Sequence, residues 1–143
     1  MIMCDFCALS PTQRKKMLTK FHDFLEHGGS ILLDVYSLNA FEERKEATTY
    51  ETNLLNGFWS TSKYYGFLNT FKYEREKVVL DKYTIVEPAR TRTIYNWLQY
   101  FRPADLEREF AECGLTVDEF YSDVAGSPFR SENKEFAVVA KKT

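Results

Sequence analysis

The sequence predicts an α/β protein with an antiparallel β-meander set into it, and three observations carry that prediction. An apolar run, a capped helix and a second, near-continuous apolar run follow one another within the first 36 residues. Three runs rich in Tyr, Phe, Thr and Val, joined by short connections, then fill the middle of the chain. From Pro103 onward a helix pattern is again followed by strand patterns. The 143 residues suit one domain, 1–143, with residues 47–101 as its inserted meander.

Met1–Ala8 reads as the end of an apolar strand. Ser10-Pro11-Thr12-Gln13 then starts a helix: the serine caps, proline suits the first helical position, and Gln13 completes a capping box. Met17, Leu18, Phe21, Phe24 and Leu25 follow at helical spacing, which assigns Arg14, Lys15, Lys16, Lys20 and Asp23 to the solvated face. Gly28-Gly29 supplies the left-handed residue that ends a helix. Ser30–Tyr36 is apolar apart from Asp34, a pattern expected of a strand covered on both faces in a parallel sheet. Leu38–Glu46 reads as a short charged helix.

Ser62–Tyr73, Lys77–Glu87 and Arg90–Phe101 are the three meander strands, with Glu51–Asn56 as a candidate fourth. In the third, Thr93, Tyr95, Trp97, Gln99 and Phe101 share one face, and Arg92, Ile94, Asn96, Leu98 and Tyr100 the other. Pro103 opens a helix striped by Leu106, Phe110 and Cys113 and ended by Gly114. Leu115–Tyr121 and Phe136–Ala140 are strands, with Gly126-Ser127-Pro128-Phe129 in the turn region between them.

Composition narrows the function. With 19 basic and 21 acidic residues the net charge is −2, which excludes an electrostatic nucleic-acid binder and a polybasic membrane-surface protein. No run approaches the roughly 20 apolar residues of a membrane helix, and no signal peptide is evident, so a cytoplasmic location is expected. The odd cysteine count of 3 agrees with a reducing compartment. Cys4-Asp5-Phe6-Cys7 has the spacing of a metal half-site or redox motif, but it lacks a partner pair and does not open a helix, so it reads as structural. Aromatic residues reach 16%, enough either for a large core or for a ligand pocket.

Two stretches carry a resemblance. The run Met1–Leu9, the capped helix ending in Glu26-His27-Gly28-Gly29, and Ile31-Leu32-Leu33-Asp34-Val35 form the first. The helix, the ECGL at 112–115, the strand, the loop and the closing FAVVAKK at 136–142 form the second. Their order resembles the later half of class I S-adenosylmethionine-dependent methyltransferases, with Glu26-His27 where that family often has Lys-Pro. The resemblance implies a partial Rossmann-like sheet of the last four strands, its final pair antiparallel, with the meander as a substrate-covering lid. It also exposes a departure. The family's cofactor loop is a Gly-rich turn after the first strand, and no two of the six glycines here are spaced G-x-G.

The expectation is therefore a C-terminal methyltransferase fragment that acts on a small molecule when intact. Alone it should be inactive and bind S-adenosylmethionine poorly. By resemblance Asp5, Phe6 and Cys7 flank the cofactor, with Asp5 equally readable as a cap for the adjoining turn. Tyr36, Tyr64, Tyr65, Asn69, Tyr95, Asn96 and Trp97 are candidates for the substrate wall, with Arg92 for an anionic group. Each has a plainer reading: Tyr95 and Trp97 as core, Arg92 as a surface or ion-pair residue, and Asp34 as a backbone acceptor. No metal site and no general base is assigned. The missing strands would leave the Met1–Ala8 edge open to self-association or to the absent N-terminal half. The rival is a non-catalytic module, a curved antiparallel sheet holding a small apolar ligand. Parallel pairing of Met1–Ala8 with Ser30–Tyr36 would favour the methyltransferase, and an all-antiparallel sheet the ligand cup.

Overall fold

Ser10 starts the first helix as its neighbours require. Its hydroxyl accepts from the Gln13 N–H (3.3 Å) and the Gln13 side chain accepts from the Ser10 N–H (2.8 Å), so the capping box is complete ahead of α1, Pro11–Phe24. The structure, a computed structural model, describes residues 1–143, which form two compact units: Met1–Glu43 with Gln99–Thr143, and Arg44–Leu98.

The first unit holds a three-stranded antiparallel sheet in the order β1-β7-β6, with β1 at Ser30–Tyr36, β6 at Leu115–Tyr121 and β7 at Glu135–Lys142. It also holds α1, α2 (Leu38–Glu43) and α3 (Pro103–Ala111). Continuous burial falls on β7, where Phe136, Ala137 and Val138 are all buried, because β7 is the central strand. On β1, Leu33 and Val35 are buried while Leu32 is exposed, so the expected two-sided burial in a parallel sheet does not hold. Its one partner strand is β7 and the pairing is antiparallel.

Met1–Ala8 is not a strand. Met3 and Cys4 take left-handed backbone (φ 67° and 55°), and Asp5–Ala8 winds into a 3-10 turn. Asp34 dictates this, since its carboxylate accepts the Met3 N–H (3.2 Å) and the Cys4 N–H (2.9 Å). The turn drives Phe6 into the core against Phe101 and Phe110, with ring centroids 5.8 and 6.5 Å away. No parallel pairing of this segment with β1 forms, and the strand pairs of both sheets described here are antiparallel.

Two further expectations are corrected in α1. Arg14 is buried, on the same helix face as Leu18, and pairs with Glu109 of α3, while Phe24 is exposed. The helix ends at Phe24, ahead of the glycines, where Leu25 turns to extended backbone, and Lys142 of β7 satisfies carbonyls at that end: Nζ donates to His22 O (2.8 Å) and Leu25 O (3.0 Å). α3 ends at Ala111, so Cys113 lies beyond it in the turn that follows, and Gly114, at φ 75° and with the His22 ring 3.1 Å from where a Cβ would stand, closes that turn.

The second unit is a four-stranded antiparallel sheet in the order β2-β3-β4-β5. Its strands are Ala47–Thr52, Tyr65–Tyr73, Val78–Val86 and Thr91–Gln99. The candidate fourth strand thus begins four residues earlier than the sequence suggested, and Asn53–Leu55 turn away with Asn53 and Leu55 at positive φ. The inner face packs Leu54, Tyr64 and Ile85, flanked by Trp59, Leu68, Tyr83 and Ile94. Gly66 is needed there, since a Cβ on it would lie 2.4 Å from the Leu54 Cβ. Asp81, buried on β4, accepts from Arg44 (2.6 and 2.7 Å) and from the Thr70 hydroxyl (2.6 Å), which satisfies a carboxylate that would otherwise be costly to bury. No helix is long and apolar enough to cross a membrane.

Candidate functional site at the carboxyl end of β1

β1 ends at Tyr36, and its carboxyl end leads through Ser37 into α2. At that end of β1 the chain forms a small concave site of about 180 Å³. Phe101, Phe129 and Phe136 contribute its apolar walls, and Ser37, Asn39, Arg102 and Arg130 its polar lining. The Phe129 ring meets Phe136 edge-on at 6.0 Å. The loop 129–133 is held by β1 and α2. The Ser37 hydroxyl donates to Asn133 O (2.6 Å), the Ser37 N–H donates to Lys134 O (2.8 Å), and Asn39 Nδ2 donates to Ser131 O (2.5 Å). The start of α3 is tied in by Phe101 N–H to Tyr36 O (2.9 Å). Arg102 is bound by Asp105 through two contacts of 3.0 Å, and this bonding holds the Asp105 carboxyl below the ordinary carboxylate range.

The candidates expected near a cofactor divide. Asp5 is exposed, but Phe6 and Cys7 are fully buried and present no surface to a ligand. Cys7 Sγ instead accepts the Tyr36 N–H at 3.3 Å, so Cys7 and Tyr36 do come together at the end of β1. The Tyr36 ring rests on Tyr100 (5.7 Å), and burial pushes its phenol up. Cys4 and Cys7 are both buried. The bond from Cys7 and then burial raise the Cys4 thiol far above its ordinary value, which keeps it protonated and unsuited to thiolate chemistry. No group of three or more His, Cys, Asp and Glu is placed to hold a metal ion.

The wall candidates in the second unit do not share one surface. Tyr64 is a core residue, 1% exposed, with its hydroxyl bonded to Leu54 O and its backbone N–H to Asn53 Oδ1 (3.1 Å). Arg92 is engaged as well, 3.5 Å from Glu87 and donating to Trp59 O. The Ser60 hydroxyl and then Arg90 hold the Glu87 carboxyl low. Strand alternation turns Arg92 and Asn96 to the half-buried face of β5, and Tyr95 and Trp97 to its exposed face. Tyr95 and Trp97 are therefore not core. Asn69 Nδ2 donates to Thr48 Oγ1 (2.9 Å). Tyr65 stacks on Tyr50 at 6.1 Å, and with Phe67 and Val86 they line a shallow apolar depression of about 370 Å³.

The lining residues Asn39, Phe129 and Arg130 escaped the sequence reading. The turn signature at Gly126–Pro128 marks the loop, and only the partners on Ser37 and Asn39 show where it goes. The Arg44–Asp81–Thr70 cluster was missed for the same reason, since its members are 37 and 11 residues apart in sequence.

No protein-family model matches the chain, and no curated protein matches it. Solved structures do. The chain is similar to the CcbJ methyltransferase from Streptomyces caelestis at 17% identity and a TM-score of 0.66, over 99% of this chain and 55% of that one. It is similar to an S-adenosylmethionine-dependent methyltransferase from Clostridium acetobutylicum at 9% identity and a TM-score of 0.69, over 98% and 55%. A third is CalS10, an amino pentose methyltransferase from Micromonospora echinaspora solved with its cofactor bound, at 14% identity and a TM-score of 0.51, over 99% and 56%. The likeness is one of fold, and the chain spans about half the length of the structures it matches.

Proposed function

We propose that this chain is the C-terminal part of an S-adenosylmethionine-dependent methyltransferase that acts on a small molecule. The observation that carries the reading is the breadth of the fold match: 98–99% of the chain superposes on methyltransferases, at TM-scores of 0.66 and 0.69 for two of them. The order β1-β7-β6 with antiparallel β6 and β7 agrees with the sheet end that the sequence motifs suggest.

S-adenosylmethionine, where it is bound, supplies an electrophilic methyl group to a nucleophile held in line with it. The residues of this chain do not make a site for it by themselves. No glycine-spaced turn is present to let backbone N–H groups approach a ligand, and of Asp5, Phe6 and Cys7 only Asp5 reaches the surface. What the chain offers is the acceptor side. Phe101, Phe129 and Phe136 would exclude water from an apolar or ring-containing acceptor, while Arg102, Arg130 and Asn39 would orient its polar groups.

The test is made on the native protein, recovered from its source with antiserum to this chain and photolabelled with radioactive S-adenosylmethionine. The reading expects label on a polypeptide of about twice this length, or on a partner that comes down with it. A native species no longer than 143 residues, unlabelled and without a partner, would overturn it. A ligand-binding module remains the second reading, favoured by the Tyr50–Tyr65–Phe67–Val86 depression and the antiparallel pairing. Saturable quenching of tryptophan fluorescence by an apolar dye, with no cofactor labelling of the native species, would support it instead.

A further inference from the structure

We infer that the site at the carboxyl end of β1 recognises a molecule of one ring that carries a carboxylate, with Phe129 against the ring and Arg130 on the carboxylate. That this molecule is the methyl acceptor rests on the methyltransferase reading, whereas the recognition itself does not. Size limits the ligand first. A cavity of about 150 Å³ takes one benzene ring, so the site here, at about 180 Å³, suits a single ring with one small substituent. Phe101 and Phe136 are each 2% exposed, so Phe129, 39% exposed, is the wall ring most open to stacking by a ligand.

Charge then selects the substituent. No acidic side chain lines the site, so an ammonium ligand would find no counter-charge there. The two cations of the lining are Arg102 and Arg130. Arg102 is already neutralised by Asp105 at 3.0 Å, and the Asn39 amide is taken by Ser131 O and Asn133 O. The exposed Arg130 guanidinium has no such partner in the chain, and its fork of donors matches the two oxygens of one carboxylate. A dianionic phosphate would call for a second free cation, and the lining has none. The fork is also presented from braced backbone. The Ser122 hydroxyl accepts the Arg130 N–H (2.9 Å) and donates to Pro128 O (2.8 Å). Asp123 Oδ1 accepts the Ala125 and Ser127 N–H groups (2.9 and 3.1 Å), while Ser37 and Asn39 hold the chain on the far side of Arg130. A loop fixed in this way lowers the ordering cost of binding.

Titration of the full chain with benzoate, followed through backbone amide NMR shifts, tests this. We expect saturable shifts at Phe129, Arg130 and Ser131 with a Kd of about 1 mM, a value within reach of so small a ligand. Benzamide and benzylamine share the ring but lack the negative charge, and each should bind about tenfold more weakly. Arg130→Gln should weaken benzoate about tenfold and leave benzamide unchanged, a split that damage to the loop would not produce. Arg75→Gln, an exposed position in the other unit, should leave benzoate binding unchanged. Benzamide binding as tightly as benzoate, phenyl phosphate binding more tightly, or shifts that miss residues 129–131 would each overturn the inference and leave the methyltransferase reading standing. Benzoate bound here, with the native protein unlabelled by S-adenosylmethionine, would instead overturn the acceptor role through the failure of that reading.

Discussion

Glu109→Gln should cost the first unit about 3 kcal/mol, because it leaves the buried Arg14 cation without its counter-charge. Arg14 Nε and an Nη reach the two Glu109 oxygens at 2.8 and 2.7 Å, a fork geometry that matches the carboxylate. A third N–H donates to Leu9 O at 2.8 Å, and the guanidinium lies 5.1 Å from the Phe101 ring centroid. The side chains are 4% and 22% exposed, so solvent screens Glu109 in part and Arg14 hardly at all. Removing one partner of a fully buried pair costs about 3–5 kcal/mol, and the exposed fraction of Glu109 sets the lower figure. Arg14→Met should cost about as much, since it strands the carboxylate and the Leu9 carbonyl. The double variant Arg14→Met, Glu109→Leu should come within about 1 kcal/mol of the parent, because neither charge is then buried alone. Urea unfolding read by far-ultraviolet circular dichroism follows α1 and α3. Both tryptophans, Trp59 and Trp97, lie in the other unit, so their fluorescence is an internal control. With a slope of about 2 kcal/mol per M, the dichroism midpoint should fall by about 1.5 M for either single variant. A Glu109→Gln loss below about 1 kcal/mol, or a double variant as weak as the singles, would refute the reasoning.

Gly66→Ala sets a Cβ 2.4 Å from the Leu54 Cβ and should lower the stability of the second unit by about 2 kcal/mol or more, read from Trp59 fluorescence in urea; an unchanged midpoint would contradict it. Asp81→Ala strands Arg44 and Thr70 and should cost about 3 kcal/mol, at the low end because the Arg44 side chain is 32% exposed; a loss under 1 kcal/mol in the same assay would count against a structural role. Arg102 holds the Asp105 carboxyl below its unfolded value, so its contribution is present above about pH 4 and is lost as pH falls through the lower folded value. Asp105→Asn should therefore destabilise the chain at pH 7 and approach the parent near pH 2, and a gap that persists at pH 2 would show another cause. Calorimetry of the isolated chain with S-adenosylmethionine should show no micromolar binding; a saturable signal in that range would mean that the chain holds a cofactor site of its own.

Features set by neighbouring residues were legible in the sequence. The Ser10–Gln13 box, the β1 boundaries and the three meander strands all depend on contacts within a few positions or on side-chain period. Arg14 was misread because the charge run around it is a surface pattern and its partner is 95 residues away. Met1–Ala8 has strand-like content, but a carboxylate 30 residues on claims its backbone N–H groups and bends it. In the candidate site the same division holds. The strand end that leads into the site could be read from side-chain period, although Tyr36 itself does not line it, whereas Phe129 and Arg130 enter through a loop anchored by Ser37 and Asn39, partners more than 90 residues away. Tyr64 was a wall candidate, but it packs with Leu54 and Ile85 in the core, where its hydroxyl is satisfied by the Leu54 carbonyl, a contact that no periodicity announces.

The central position of β7 has a consequence for synthesis. β1 and β6 are joined only through Glu135–Lys142 between them, so the sheet of the first unit cannot close until that last strand has emerged from the ribosome. The meander is contiguous, Arg44–Leu98, and its strands pair with sequence neighbours, so it can form while β1 still waits for a partner. During that interval the apolar stretch Ile31–Val35 lacks its β7 partner and is open to a nascent-chain chaperone.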